Sequence, residues 1–224
     1  MEAHGIVAGY RRGAPVLDGV DLAVAPGEVV GLAGPSGCGK STLARVLALL
    51  MAPWAGAVEI DGVRARGVRY RAPRALRTAV GVVFQQPRLA SDPRLTLREI
   101  VAEPLLAARR GRDEGWEEKL HARVGLTAKL LGRRPHEVSD GQLQRACLAR
   151  ALVLRPRYLV CDEMTAMLDA STTAVLVGVV ADLAGADGVG VLAVSHDEEL
   201  LAVWADRVER PFADHAVAAE PSCK

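Results

Sequence analysis

Apolar residues along this chain form two kinds of run. At residues 29–33, 158–161 and 189–194 they are nearly continuous, without the alternation of a strand that has one wet face. Such runs mark central strands of a parallel sheet, covered on both sides. Further strand-like segments lie at residues 5–8, 17–23, 57–60 and 79–84, and the Leu- and Ala-rich stretch 42–51 reads as a helix. From about 96 to 131 the pattern becomes helical and charged, as in Trp116-Glu117-Glu118-Lys119-Leu120. A helical insertion is therefore expected between the strand ending near Gln85 and the strand ending at Asp162. The predicted fold class is α/β, with a mainly parallel sheet core. No internal repeat or low-complexity linker interrupts it, and the last dozen residues read as a poorly ordered tail.

One turn in this pattern carries chemistry. Between the strand at 29–33 and the helix at 42–51 lies Gly34-Pro35-Ser36-Gly37-Cys38-Gly39-Lys40-Ser41-Thr42, which fits G-x-x-x-x-G-K-[ST]. The three glycines allow a tight turn whose N–H groups point inward at phosphate oxygens. Lys40 brings a compact positive charge to the β- and γ-phosphates, and the Ser41 hydroxyl is a ligand for Mg²⁺. The following helix aims its positive N-terminus at the same place. ATP and Mg²⁺ are the expected cofactors.

Three later strand ends add to this site. Tyr158-Leu159-Val160-Cys161 delivers Asp162 and Glu163 at its C-terminal end. Beside a phosphate loop, the first acid holds Mg²⁺ directly or through water, and the second polarises an attacking water as general base. His196 ends the strand at 189–194. A lone histidine is more often structural than catalytic, but at a strand end of an open α/β sheet it is read as a contact to the γ-phosphate. Gln85 ends the strand at 79–84, where its amide can ligate Mg²⁺ or water and sense a γ-phosphate.

Composition narrows the partners more than the chemistry. The 224 residues suffice for one large α/β core or a core with a small insertion. A net charge of +1 argues against a nucleic-acid surface driven by bulk charge, and the arginines between Arg64 and Arg77 read as a solvated face. Cys38, Cys147, Cys161 and Cys223 have no metal-binding spacing and read as reduced, small apolar residues. No apolar stretch looks long enough to cross a bilayer, and no signal-peptide pattern opens the chain.

Val138-Ser139-Asp140-Gly141-Gln142 has no role toward a nucleotide bound by its own chain unless a second subunit completes the site. With it, the chain resembles the nucleotide-binding subunits of ATP-binding cassette (ABC) transporters from Tyr10 to about Arg207. Gly34 to Thr42 matches the Walker A loop, Gln85 the Q-loop and Ser139 to Gln142 the signature. Asp162 and Glu163 match Walker B, Ala166-Met167-Leu168-Asp169 the D-loop, and His196 the switch histidine. Tyr10 matches the aromatic that stacks on adenine.

The resemblance implies an ABC ATPase fold of the phosphate-loop class. It adds an antiparallel N-terminal β subdomain to the parallel core, which would span residues 1–86 and 157–210, with a signature-bearing helical part at 87–156. It also implies a head-to-tail pair of cassettes, homo- or heterodimeric, each ATP sandwiched between one Walker site and the other signature. Two transmembrane permease subunits would bind the pair at the cytoplasmic face of the membrane, with a substrate-binding protein acting indirectly and no nucleic acid involved.

Phe84-Gln85-Gln86-Pro87, Asp92-Pro93-Arg94-Leu95-Thr96, Ile100-Val101-Ala102-Glu103-Pro104-Leu105 and Pro135-His136-Glu137-Val138-Ser139 are similar to peptide and nickel importers. The family usually has Gly at Asp140, Pro at Met164 and Ser at Ala166. Asp140 would repel a γ-phosphate if it faced one, and with its neighbours intact it is expected to point away. The short region after His196 is expected to hold no separate C-terminal domain. A soluble cassette acting on nucleic acid or ribosomes, or one in a phosphonate-degrading complex, shares every nucleotide motif. A phosphate-loop kinase would leave the signature unused.

Overall fold

The computed structural model describes residues 1–166 and 168–211; Met167 and the expected tail lie outside them. In chain order the elements are β1 (Glu2–Ala8), β2 (Leu17–Ala23), β3 (Val29–Leu32), α1 (Lys40–Leu47), β4 (Ala55–Ile60), β5 (Val63–Arg64), α2 (Arg74–Ala79) and β6 (Val80–Val83). The helices α3 (Leu97–Ala107), α4 (Glu114–Arg123), α5 (Ala128–Leu131) and α6 (Asp140–Leu152) follow. After them come β7 (Tyr158–Asp162), α7 (Ala170–Asp187), β8 (Gly190–Val194), α8 (Glu198–Trp204) and β9 (Arg207–Glu209).

Two sheets form. An antiparallel one has the order β2-β1-β4-β5, and a parallel one the order β6-β7-β8-β3-β9. The three continuous apolar runs are β3, β7 and β8, buried at every residue and inside the parallel sheet. Their side chains alternate between two cores. Val29, Leu159, Cys161, Val191 and Ala193 join one apolar cluster with α3, α6 and α7. Val30, Leu32, Tyr158, Val160, Leu192 and Val194 join a second, in which α1 is packed against β1, β2 and β4. Neither face of these strands meets water, so the sequence has no reason to alternate.

The structure moves several expected boundaries. The helix expected at 42–51 begins at Lys40 and ends at Leu47, where Leu49 turns to a φ of 57°. Thr78 and Ala79 belong to α2, so the strand starts at Val80. Residues 207–209 form the edge strand β9, parallel to β3. The expectation that no apolar stretch is long enough to span a bilayer is corrected for α7, which has 18 residues and a mean hydropathy of 1.3. One face of α7 supplies Leu176, Val179, Val180 and Leu183 to the core instead.

Gly81, mid-strand in β6, marks a close approach of backbones. A Cβ there would lie 2.5 Å from the Ala151 carbonyl oxygen and 3.2 Å from Pro156 Cγ. The Gly81→Ala variant is expected to lose about 1–3 kcal/mol through overpacking, read from the denaturant midpoint. An unchanged midpoint would mean that the end of α6 yields freely.

Candidate functional site

The phosphate loop joins β3 to α1 at the C-terminal edge of the parallel sheet, where open α/β sheets bind ligands. Gly34, Gly37 and Gly39 have φ of 149°, 81° and 117°. Gly39, the N-cap of α1, is required twice over: its backbone is left-handed, and a Cβ would lie 2.8 Å from Leu17 Cδ2. No acidic residue occupies the first turn of α1, so its N-terminal N–H groups and dipole remain available to an anion. Lys40 is buried, and its Nζ donates to the carbonyls of Gly34 at 2.7 Å and Pro35 at 2.9 Å. The ammonium is thereby held over the loop it belongs to.

Walker-type acids meet that loop through Ser41, whose hydroxyl donates to Asp162 Oδ1 at 2.8 Å. Burial raises the Asp162 pKa, with Glu163 adding to the effect and Ser41, Arg45 and Lys40 opposing it. Glu163 stands just past β7 with a φ of 49°, and its N–H donates to the Val194 carbonyl at 3.0 Å. A left-handed glutamate costs about 1–3 kcal/mol, a strain that the β7–β8 pairing holds in place. Its carboxylate accepts from Gln85 Nε2 at 2.7 Å and lies 3.7 Å from His196 Nδ1. Three strand ends thus bring Gln85, Glu163 and His196 together, 78 residues separating the first two.

Tyr10, exposed above the loop, has its hydroxyl 3.3 Å from Thr42 Oγ1 and accepts from Arg45 Nη1 at 2.7 Å. Its ring borders a cleft of about 350 Å³ together with Ser36, Gly37, Gly39, Lys40, Ser41, Thr42, Gln85 and Glu163. Ser41 and Gln85 also border an adjoining groove of about 450 Å³ that reaches Asp162. Cys38 is half-buried beside the second core and does not line the cleft. Among the described residues no cluster of three or more His, Cys, Asp or Glu could cage a metal ion. A hydroxyl beside a carboxylate is a hard-oxygen set that suits Mg²⁺ completing its shell with water and phosphate oxygens.

The signature residues line neither concavity. Ser139 caps α6: its hydroxyl accepts from the Gln142 N–H at 3.3 Å, and the Gln142 side-chain Oε1 accepts from the Ser139 N–H at 3.1 Å. That capping box absorbs two side chains expected to touch a nucleotide. Gly141 packs against α7, where a Cβ would lie 2.8 Å from Thr172 Cγ2. The Asp140 carboxylate is turned onto Arg88 Nε at 2.6 Å.

Two residues without an expected role tie these parts together. Gln144, fully buried, donates from Nε2 to the carbonyls of Phe84 at 3.1 Å and Met164 at 3.0 Å. It joins α6 to the residues beside Gln85 and Glu163, and its position four residues before buried Leu148 was the only hint in the sequence. Arg88 donates to the carbonyls of Pro135 at 2.8 Å and Val138 at 3.1 Å. A larger concavity of about 730 Å³ opens at the opposite edge of the sheet, near Trp116 and Val189. Of its lining cations, Lys119, Arg123, Arg155 and Arg157, the three arginines are already paired with Asp187, Asp113 and Asp61.

Comparison with known proteins agrees with this geometry. Residues 17–166 match the family model described as ABC transporter. The oligopeptide transport ATP-binding protein OppF of Escherichia coli K12 is 38% identical over 205 residues, covering 90% of this chain and 61% of the relative. The nickel import ATP-binding protein NikE of Escherichia coli strain 536 is 37% identical over 209 residues, covering 92% of this chain and 78% of the relative. Among solved structures, the post-hydrolysis dimer of the ATP-binding cassette MJ0796 bound to ADP and Pi superposes with a TM-score of 0.81 at 30% identity, covering 94% of each chain. The chain spans 61% of the length of the oligopeptide relative. With the matched model extending from β2 through Walker B, and the cassette fold shared over nearly all of its length, this chain belongs to the ABC transporter family of ATP-binding subunits.

Proposed function

We propose that the chain binds and hydrolyses ATP as one cassette of an importer, and that cassette closure on ATP drives uptake of peptide or nickel through membrane partners. The single observation that carries this reading is the division of the site. One cleft gathers Lys40, Ser41, Gln85 and Glu163, while Ser139 and Gly141 lie outside it at the exposed start of α6. A second cassette placed head to tail would bring its α6 N-terminus to this chain's cleft, where backbone N–H groups suit a γ-phosphate. The dimeric cassette among the structural neighbours supports that arrangement, and the names of the oligopeptide and nickel relatives support import.

Within the cleft each residue has a chemical task. The loop N–H groups and Lys40 hold the β- and γ-phosphates, and Tyr10 stacks on adenine. Mg²⁺, held by Ser41 and Asp162 with Gln85 nearby, would neutralise charge on the phosphates. Glu163 takes the proton of the attacking water, and Gln85 orients the carboxylate through the bond already formed. His196, exposed at the end of β8, reaches toward the γ-phosphate. The core (1–86 and 157–210) and the signature-bearing part (87–156) would act as one ATPase domain at the cytoplasmic face of the membrane.

The test is affinity capture of the Glu163→Gln variant with Mg-ATP from detergent-solubilised source cells. Two polytopic membrane proteins and a second cassette are the expected companions, or a second copy of this chain if the pair is a homodimer. Recovery of ribosomes, nucleic acid or soluble lyase subunits alone would leave the ATPase reading in place and overturn import.

A further inference from the structure

We propose that Arg88 is a positioning residue: it latches the Asp140 carboxylate off the phosphate-facing start of α6 and links that start to the segment after Gln85. The proposal rests on the reading of α6 as the surface offered to a partner cassette's nucleotide.

Two hydrogen bonds and one ion pair leave one guanidinium. Nη1 donates to the Pro135 carbonyl at 2.8 Å, Nη2 to the Val138 carbonyl at 3.1 Å, and Nε meets Asp140 Oδ1 at 2.6 Å. The planar guanidinium reaches all three oxygens at once, two as hydrogen bonds and the third as an ion pair. The segment carrying Arg88 is itself anchored, since buried Ser91 donates to the Pro87 carbonyl at 2.8 Å. Three residues before Arg88, Gln85 donates to Glu163. A short path of one hydrogen bond, the backbone from 85 to 88 and the Arg88 contacts therefore joins the carboxylate of one ATP site to the first turn of the helix that would complete the other.

The latch answers an electrostatic problem posed by the sequence. A carboxylate in the first turn of a helix is favoured by the same N–H groups and dipole that would bind a phosphate. Left to itself, Asp140 could fold over that N-terminus and repel a polyanion approaching it. Arg88 cancels the charge and fixes its direction while the capping box of Ser139 and Gln142 keeps the turn rigid. A glycine at position 140 would need no such partner.

The experiment compares the parent with Arg88→Ala, Asp140→Gly and the double variant, each isolated as its assembled complex from source cells. Steady-state ATPase rates are measured against Mg-ATP concentration, and a fluorescent ATP analogue reports binding to the chain alone. Freeing the carboxylate in Arg88→Ala is expected to raise the KM for Mg-ATP about tenfold. Analogue binding should be unchanged, because Arg88 lies outside the cleft. Adding Asp140→Gly should bring the KM back to within about threefold of the parent. A merely structural defect would respond oppositely, since glycine in a first helical turn weakens the helix further.

An undiminished Arg88→Ala enzyme, or a double variant as impaired as Arg88→Ala, would overturn the latch while leaving the ATPase reading intact. Failure of every variant and of the parent to bind the analogue would overturn both.

Discussion

Glu163→Gln is expected to lower steady-state ATP turnover by roughly 10²–10⁴-fold, the range removed when a general base is lost. The substitution keeps the shape of the side chain. Its amide oxygen can still accept from Gln85 Nε2, which is 2.7 Å from the carboxylate in the parent. What disappears is the ability to take a proton. The loss should therefore fall on kcat, with nucleotide affinity kept or increased, because a negative charge no longer faces the γ-phosphate. The variant should also hold ATP long enough to trap a closed pair of cassettes. Normal turnover in the assembled complex would remove Glu163 from the role of base. A loss of nucleotide binding with unchanged kcat would make it a ligand-positioning group.

The parts of this site that could be read before folding are those written in contiguous residues. Gly34 to Thr42 declares itself because three glycines, a lysine and a serine fall at fixed spacing between a buried strand and a helix. The structure then supplies positive φ at all three glycines and leaves the start of α1 free of acids. Central strands were equally legible, because burial on both faces removes alternation from β3, β7 and β8.

What escaped were features that only tertiary contact creates. Edge strand β9 is three half-buried residues, Arg207–Glu209, too short to carry a period. Gln144 looks like one more polar residue in an amphipathic helix until Phe84 and Met164 present carbonyls to it. A fully buried amide of this kind rigidifies whatever it bridges, since leaving those carbonyls unpaired is costly. Asp140 could be recognised as a departure from the family pattern, but Arg88, 52 positions earlier, gave no sign of being its counter-ion. Ser139 and Gln142 likewise have side chains committed to each other's backbone N–H, which leaves the N–H groups of Asp140 and Gly141, in the first turn, as what the start of α6 offers outward.

Lys40→Ala is expected to abolish measurable ATP turnover and to weaken binding of a fluorescent ATP analogue by at least about tenfold, or 1.4 kcal/mol. The ammonium is the buried positive charge of the loop, and it sits between the carbonyls of Gly34 and Pro35. Removing it has two consequences that separate in experiment. The β- and γ-phosphates lose a charge-assisted donor, which lowers affinity directly. The two carbonyls lose their shared partner, and unpaired acceptors cost about 1–3 kcal/mol where water cannot replace it. Because Pro35 is exposed and Gly34 only half-buried, water has access to that part of the loop. Thermal stability without nucleotide should then change little, while the stabilisation conferred by Mg-ATP on the parent is lost. A large fall in stability without nucleotide would show that Lys40 serves chiefly to hold the loop together. Retention of analogue binding with turnover abolished would place its contribution in the transition state alone. Arg45, the nearby cation that donates to Tyr10, cannot substitute, because its guanidinium lies beside the tyrosine hydroxyl and not among the loop carbonyls.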